Sequence, residues 1–122
     1  MTRHILDLPD MPYPSLNNRS DKRWDADQLR AWRHNAALVA RDAKVPELHM
    51  PTVRLHFHPG DRRRRDAVNL ALVHKACVDG LVDAGVLADD DPDHVTELMP
   101  AIWKGKGVRR WELVIEEATD VA

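Results

Sequence analysis

The segment that most constrains the fold is residues 52–58, where apolar and polar side chains alternate at every position. The apolar members are Val53, Leu55 and Phe57, and the polar members are Arg54, His56 and His58. A period of two is typical of a strand that buries one face and exposes the other. Pro59 and Gly60 follow directly and predict that the strand ends there.

Two segments with helical spacing lie on either side of this strand. Asp25 and Gln28 fit a capping box, which predicts a first helix over about residues 26–44, stopped by Pro46. Apolar residues then recur at steps of three and four after Asp66, which predicts a second helix that Gly85 closes.

Shorter segments supply the remaining strands. Residues 5–8 predict an edge strand, and residues 95–103 predict a strand that tolerates Pro100 only at an edge or a bulge. Gly105 and Gly107 predict the tip of a hairpin whose return strand is residues 108–116. The order β-α-β-α-β-β predicts an α+β fold, with a small mixed sheet of about four strands covered by two helices.

The size and composition of the chain limit the classes it can belong to. Its 122 residues predict one domain over 1–122, with a frayed tail at 118–122. No apolar run approaches the roughly 18 residues of a membrane span, so we expect no membrane association. The single Cys77 cannot form an internal disulfide, which favours a reducing, cytoplasmic setting.

The distribution of charge along the chain says more about possible binding partners than the net charge does. The formal net charge is -2, yet the charges fall into clusters of one sign. The basic clusters are Arg62–Arg65 and Lys104, Lys106, Arg109 and Arg110, and the acidic cluster is Asp89, Asp90, Asp91 and Asp93. Since a polyanion responds to the field within about one Debye length, local sign decides binding. The pattern suggests a phosphate-binding surface with a cation site, or alternatively solvated charged loops.

The stretch from Arg62 to Asp91 carries the candidate chemistry. Asp66 and Asn69 lie three apart at a helix start, so both can face one point. If the segment after Gly85 folds back, Asp66 and an aspartate from 89–91 can share a divalent cation beside the arginines, as metal-assisted phosphodiester hydrolysis requires. Structural alternatives remain: Asp66 as a helix cap, 89–93 as a solvated turn, and Lys75 as an ion-pair partner of Asp79.

Other candidate residues have plainer interpretations. His56 and His58 share a strand face and could bind a metal, but no third ligand stands beside them. We expect Cys77, Trp32 and Trp111 to pack in the core. For Trp24 and Trp103 the sequence does not decide between packing in the core and stacking on bases.

Taken together, these motifs resemble the RusA-type Holliday junction resolvases of bacteria and their phages. The resemblance is carried by DRRRRD at 61–66, Asn69, Lys75, DGLVDAGVL at 79–87 and the aspartates that follow. It extends to SLNNRSDKRW near the start and to the VRLHF strand, and so covers roughly residues 5–117.

The resemblance implies a homodimer that binds four-way DNA junctions and nicks two strands symmetrically with Mg²⁺ or Mn²⁺, in recombination and repair. Carried over to this sequence, it implies that Asp66, Asp90 and Lys75 are catalytic. It implies that Asp66 and Asp90, with Asp89, hold the metal. The predicted DNA contacts are Arg62, Arg63, Arg64, Arg65, Asn69, Asn17, Arg19, Arg23, Lys104 and Lys106.

One position departs from the family motif. The middle aspartate of D-x-D-N is Val68 here, and valine cannot ligate a metal or act as a base. Asp89 or Asp91 could supply the missing carboxylate. Otherwise the chain is a catalytically impaired homologue that binds branched DNA or a host protein without cutting. A third hypothesis, a protein-interaction module, differs from both in lacking salt-dependent junction binding.

Overall fold

The computed structural model describes residues 2–15 and 21–118. Its elements in chain order are β1 (Thr2–Leu8), α1 (Lys22–Asp42), β2 (Thr52–His58), a 3-10 turn (Ala67–Leu70), α2 (Ala71–Asp83), β3 (Thr96–Glu97), β4 (Ala101–Ile102) and β5 (Arg110–Glu117). Most of the tail that we predicted to fray, residues 119–122, lies outside the described residues.

The strands form one mixed sheet of five strands. β5 lies between β1 and β2 and is antiparallel to both, while β3 and β4 lie parallel to β2 on its other edge. β1 pairs with β5, which confirms the predicted edge strand. The α+β prediction of a mixed sheet with two helices is therefore confirmed.

The sheet has five strands because the predicted strand over 95–103 divides into β3 and β4. Pro100 lies between the two pieces and has no N–H to donate to a ladder. The flanking backbone still pairs with β2: the N–H of Leu98 donates to Val53 O and that of Trp103 donates to Phe57 O, each over 2.9 Å.

The predicted hairpin around Gly105 and Gly107 is wrong. β2 lies between β4 and β5, so the loop crosses the end of β2 instead of joining two neighbouring strands. The N–H of Gly105 donates to Asp61 O over 2.9 Å, which fastens this loop to the turn that follows β2. Alternation along a strand predicts its two faces but does not identify its neighbour.

Both helices begin at other residues than predicted. α1 starts at Lys22 with Asp21 as its N-cap, and the Asp21 carboxylate accepts the N–H of Arg23 over 2.7 Å. The prediction of Asp25 as N-cap is wrong, and Asp25 lies in the first turn instead. α2 starts at Ala71, since residues 67–70 form the 3-10 turn.

The core lies between the sheet and the two helices. Trp32 from α1, Cys77 from α2 and Trp111 from β5 are fully buried, as predicted. The Trp111 indole stacks on Phe57 at 3.8 Å between ring centroids and meets the edge of Trp32 at 4.8 Å. In the ranges described, no helix is both long and apolar enough to cross a membrane.

The two helices approach each other most closely at Gly80. A Cβ atom at this position would lie 2.4 Å from Arg33 O and 2.9 Å from the Cβ of Ala36. Both neighbours belong to α1, and Arg33 O is backbone that cannot rotate away. Gly80 therefore sets the separation of α1 and α2.

We predict that Gly80→Ala destabilises the protein by about 1–3 kcal/mol, because overpacking at a tight contact costs that much. Alanine has the higher helix propensity by roughly 1 kcal/mol, so the same change stabilises a helix with open space beside it. Urea unfolding measures the difference. A raised unfolding midpoint for Gly80→Ala contradicts the close approach.

Candidate nucleic-acid interface and acidic site

Lys75, Asp79 and Asp90 form a cluster on the outer side of α2. Lys75 and Asp79 lie one turn apart on the helix, and the segment after α2 brings Asp90 back to the same face. The Lys75 ammonium lies 2.9 Å from Asp79 Oδ1 and also donates to Asp90 Oδ2. The pair with Asp79 is the structural alternative that the sequence offered for Lys75, and it is present. The acidic segment folds back onto α2 at Lys75.

The electrostatics of this cluster keep it charged. Hydrogen bonds to Asp90 and then to Asp79 raise the pKa of Lys75 above its usual range. The Lys75 hydrogen bond, with a further one from Asp89, lowers the pKa of Asp90. Lys75 therefore stays protonated and Asp90 ionised through the neutral range, and Asp90 stays ionised as the pH falls below the usual carboxyl range.

The acidic segment that carries Asp90 is ordered by its own side chains. Asp89 Oδ1 accepts the N–H of Asp90 over 2.7 Å. Asp91 Oδ1 accepts the N–H of Asp93 over 3.0 Å and lies 2.6 Å from Nδ1 of His94, a hydrogen bond that raises the pKa of His94. Asp91 is thus engaged within its own turn.

Val68 and Asn69 lie on the 3-10 turn that leads into α2, and Asp66 directly precedes that turn. Asp66 is exposed, and its backbone carbonyl accepts the N–H of Asn69 over 3.0 Å. Its carboxylate makes no capping hydrogen bond. Val68 is 48% exposed, so the position that carries an aspartate in the family motif faces solvent.

The structure does not bring the predicted metal ligands into one closed group. In residues 2–15 and 21–118, no three side chains of His, Cys, Asp or Glu are grouped so as to hold a metal ion. The donors are nevertheless of the right kind, because Mg²⁺ takes one or two carboxylates and completes its shell with water and phosphate oxygens. Asp90 already pairs with the ammonium of Lys75, so a metal ion at this carboxylate would share it with that cation.

The histidine pair on β2 has other partners. His58 Nε2 lies 3.0 Å from Glu112 Oε1, and His56 Nδ1 accepts the indole N–H of Trp103 over 2.8 Å. The interpretation of this pair as a metal site therefore gains no third ligand from the described residues.

The arginine run divides into two kinds of residue. Arg62, Arg63 and Arg64 are exposed, and none has an acidic partner in the described part of the chain. Arg65 differs, because its Nη2 lies 3.1 Å from Asp61 Oδ2 and its guanidinium is 5.8 Å from the centroid of the Phe57 ring. We therefore assign Arg65 a bracing role within the turn.

Asp61 is the residue that sequence reasoning passed over. The side-chain hydrogen bond from Arg65, together with the N–H of Arg63, lowers the pKa of Asp61 to about 2. Its backbone oxygen also accepts the N–H of Gly105, so it joins the arginine run to the loop carrying Lys104 and Lys106. Residues 61–65 are not helical, so their spacing gave no signal for this pair.

The remaining predicted DNA contacts are placed only in part. Lys104 and Lys106 are exposed in the loop after β4, and Arg23 is exposed in the first turn of α1. Asn17 and Arg19 lie outside the described residues. Arg109, counted in the second basic cluster, donates to Asp10 over 3.0 Å instead of standing alone.

Comparison with known proteins agrees with the family resemblance. No protein-family model matches the chain. The chain is 34% identical over 116 residues to the crossover junction endodeoxyribonuclease RusA of Escherichia coli K12, covering 88% of this chain and 91% of that protein. It is also 34% identical over 125 residues to the crossover junction endodeoxyribonuclease of Enterobacteria phage 82, covering 95% of both. With the Asp90–Lys75 pairing and the arginine run in place, this similarity shows that the chain belongs to the RusA family of crossover junction endodeoxyribonucleases.

Proposed function

We propose that this chain is a crossover junction endodeoxyribonuclease that binds four-way DNA junctions as a homodimer and nicks them symmetrically in the presence of Mg²⁺ or Mn²⁺. The similarity to RusA proteins over about nine-tenths of the chain supports the reaction class. A four-way junction contains paired strands related by two-fold symmetry, which suits a two-fold dimer.

The observation that carries the proposal is the position of Asp90. The turn after α2 returns this carboxylate to the face of Lys75, on the helix that follows the exposed arginines along the chain. An ionised carboxylate and a protonated amine in contact suit phosphodiester hydrolysis, since one attracts a cation and the other stabilises charge on a phosphate oxygen.

Each residue of the site has a separate task in this proposal. Asp66 and Asp90, supported by Asp89, would hold the metal ion, which supplies Lewis-acid activation of the phosphodiester and of a bound water when present. Lys75 keeps Asp90 ionised and oriented, and its remaining N–H can donate to a non-bridging phosphate oxygen. Asn69 would orient the substrate backbone near Asp66.

The exposed arginines would bind the DNA backbone. Arg62, Arg63 and Arg64 can each contact a phosphate, bidentately where the geometry allows. Lys104 and Lys106 extend the same surface, because their loop is fastened to Asp61. The local basic surface therefore allows DNA binding by a chain whose net charge is -2.

A second candidate function is junction binding without cleavage. Val68 favours it, since the half-exposed side chain lies between Asp66 and Asn69 and brings no carboxylate to the turn. Asp89 and Asp91 each accept a backbone N–H through Oδ1, but Asp91 also contacts His94, so Asp89 is the less engaged candidate for the missing carboxylate.

The first prediction concerns cleavage of a labelled four-way junction. We expect the wild-type chain to nick it symmetrically in Mg²⁺ or Mn²⁺ and Asp90→Asn to lose at least about 100-fold in rate, because a carboxylate at the reacting phosphate is removed. Single-turnover assays on denaturing gels measure the rates. Asp93→Asn is the matched control in the same segment, and we expect it to cut at the wild-type rate.

Val68→Asp separates the two candidate functions. The side chain is exposed, so we expect the variant to fold like the wild type. If the wild type binds without cutting and Val68→Asp cuts, the chain is a binding protein built on a resolvase scaffold. If neither protein binds the junction, both DNA hypotheses are contradicted.

The second prediction separates phosphate-binding arginines from the bracing one. We expect Arg63→Ala and Arg64→Ala each to reduce the slope of log K against log salt by up to about 0.9, as loss of one phosphate contact does. Anisotropy titrations in EDTA between roughly 50 and 200 mM salt measure the slope.

Arg65→Ala is the contrasting variant. Since Arg65 pairs with Asp61 and lies over Phe57, we expect it to lower the melting temperature more than the other two changes. A slope that changes for Arg65→Ala alone, with no loss of stability, contradicts this division of the run.

A further inference from the structure

Trp103 is a large apolar side chain that the fold leaves uncovered. It follows β4 and is 53% exposed, whereas Trp32 and Trp111 are fully buried. Its backbone is fixed, because its N–H donates to Phe57 O over 2.9 Å. An exposed indole on a fixed backbone is not explained by packing of the core.

The indole of Trp103 is also held in one orientation. Its N–H donates to His56 Nδ1 over 2.8 Å, and its ring plane lies within 5° of that of His56 and 14° of that of His58. The ring centroids of His56 and His58 lie 5.9 and 6.2 Å from that of the indole, and about half of the Trp103 side chain remains open to solvent. Burial, and then the Arg54 charge, lower the pKa of His56, so Nδ1 is unprotonated and able to accept at neutral pH.

The surroundings of Trp103 are basic and open. A cavity of about 360 Å³ lies beside the ring and is lined by His58, Lys104, Lys106 and Arg110 among others. Lys104 and Lys106 have no acidic partner within the described ranges, while Arg110 lies 3.2 Å from Glu112. A flat aromatic face bordered by unpaired cations is the arrangement that binds single-stranded nucleic acid, with cations on phosphates and the ring on a base.

The cavity borders the turn that leads into the arginine run, because Gly60 lines it. The N–H of Gly105, which also lines the cavity, donates to Asp61 O directly before Arg62. DNA held by Arg62–Arg64 would therefore have Trp103 within reach. A linear duplex keeps its bases stacked within the helix, whereas a branch point offers bases whose stacking is interrupted. The indole can therefore gain a contact at a branch that a duplex does not offer.

We propose that Trp103 stacks on an unpaired or unstacked base at the branch point and thereby contributes to the preference for branched over duplex DNA. This role deepens the proposed function and rests on it. The other occupant of this surface is a second copy of the chain, since Ile5 and Trp103 both lie on the open side of the sheet. The cations that border the ring favour the polyanion.

The test compares Trp103→Ala and Trp103→Phe with the wild type by anisotropy in EDTA. The DNAs are a four-way junction, a linear duplex of the same arms and a single-stranded oligonucleotide. We expect Trp103→Ala to weaken binding to the junction and the single strand by roughly 5- to 150-fold, the range for one base–aromatic stack, and to change duplex binding less than twofold. Trp103→Phe retains a ring and should recover most of the loss.

Two controls isolate the stacking role. The salt slope should stay unchanged in Trp103→Ala, because no charge is removed. Trp24→Ala is the matched control on α1, where Trp24 is 39% exposed, and we expect it to keep the wild-type preference for the junction. A 2-aminopurine at the branch point should be quenched by the wild type and not by Trp103→Ala.

The outcomes distinguish this role from the proposed function. If the wild type prefers junctions and Trp103→Ala keeps that preference, the stacking role is overturned while the proposed function stands. If the wild type does not prefer junctions, the proposed function and the branch-point role both fall, even where Trp103→Ala weakens binding to the single strand. Dissociation of a dimer in Trp103→Ala, measured by sedimentation, overturns the proposal in favour of a subunit interface.

Discussion

The indole of Trp111 is the contact on which the rest of the structure depends. It stacks on Phe57 within the sheet, meets Trp32 from α1 and donates its N–H to Asp10 over 2.8 Å. Burial acts to raise the pKa of Asp10, but the hydrogen bonds from Trp111 and Arg109 outweigh it and hold the pKa below its usual value. One buried side chain thus joins the sheet, a helix and the segment after β1.

This aromatic cluster also supports the basic surface. The guanidinium groups of Arg65 and Arg109 lie 5.8 and 4.8 Å from the centroid of the Phe57 ring, and each is paired with an aspartate. Arg65 and Arg109 therefore hold loops in place, while neighbouring basic residues such as Arg64 and Lys106 are exposed. The aspartates that pair with these arginines lower the net charge of the chain, so the net charge of -2 does not describe the local basic surface.

The sequence predicted strands and buried residues correctly where the spacing of apolar residues over a few positions determines which side chains are buried. The alternation along β2 and the positions of Trp32, Cys77 and Trp111 follow from solvent exclusion alone. Prediction from the sequence failed where the outcome depends on distant partners, because β2 separates β4 from β5 and no hairpin joins them. The Lys75–Asp90 contact joins residues 15 apart across a reversal, and the spacing of these residues did not predict it.

The place of β5 in the sheet has a consequence for how the molecule forms. β5 is the last strand along the chain, yet both β1 and β2 pair with it, and Thr2 lies opposite Glu117. A chain emerging from the ribosome must hold β1 and one edge of β2 unpaired until β5 arrives, because only the other edge of β2 pairs with the earlier strands β3 and β4. Completion of the sheet is therefore a late event. Contacts between distant residues are slow to form, and the waiting strand edges are where association with other chains competes.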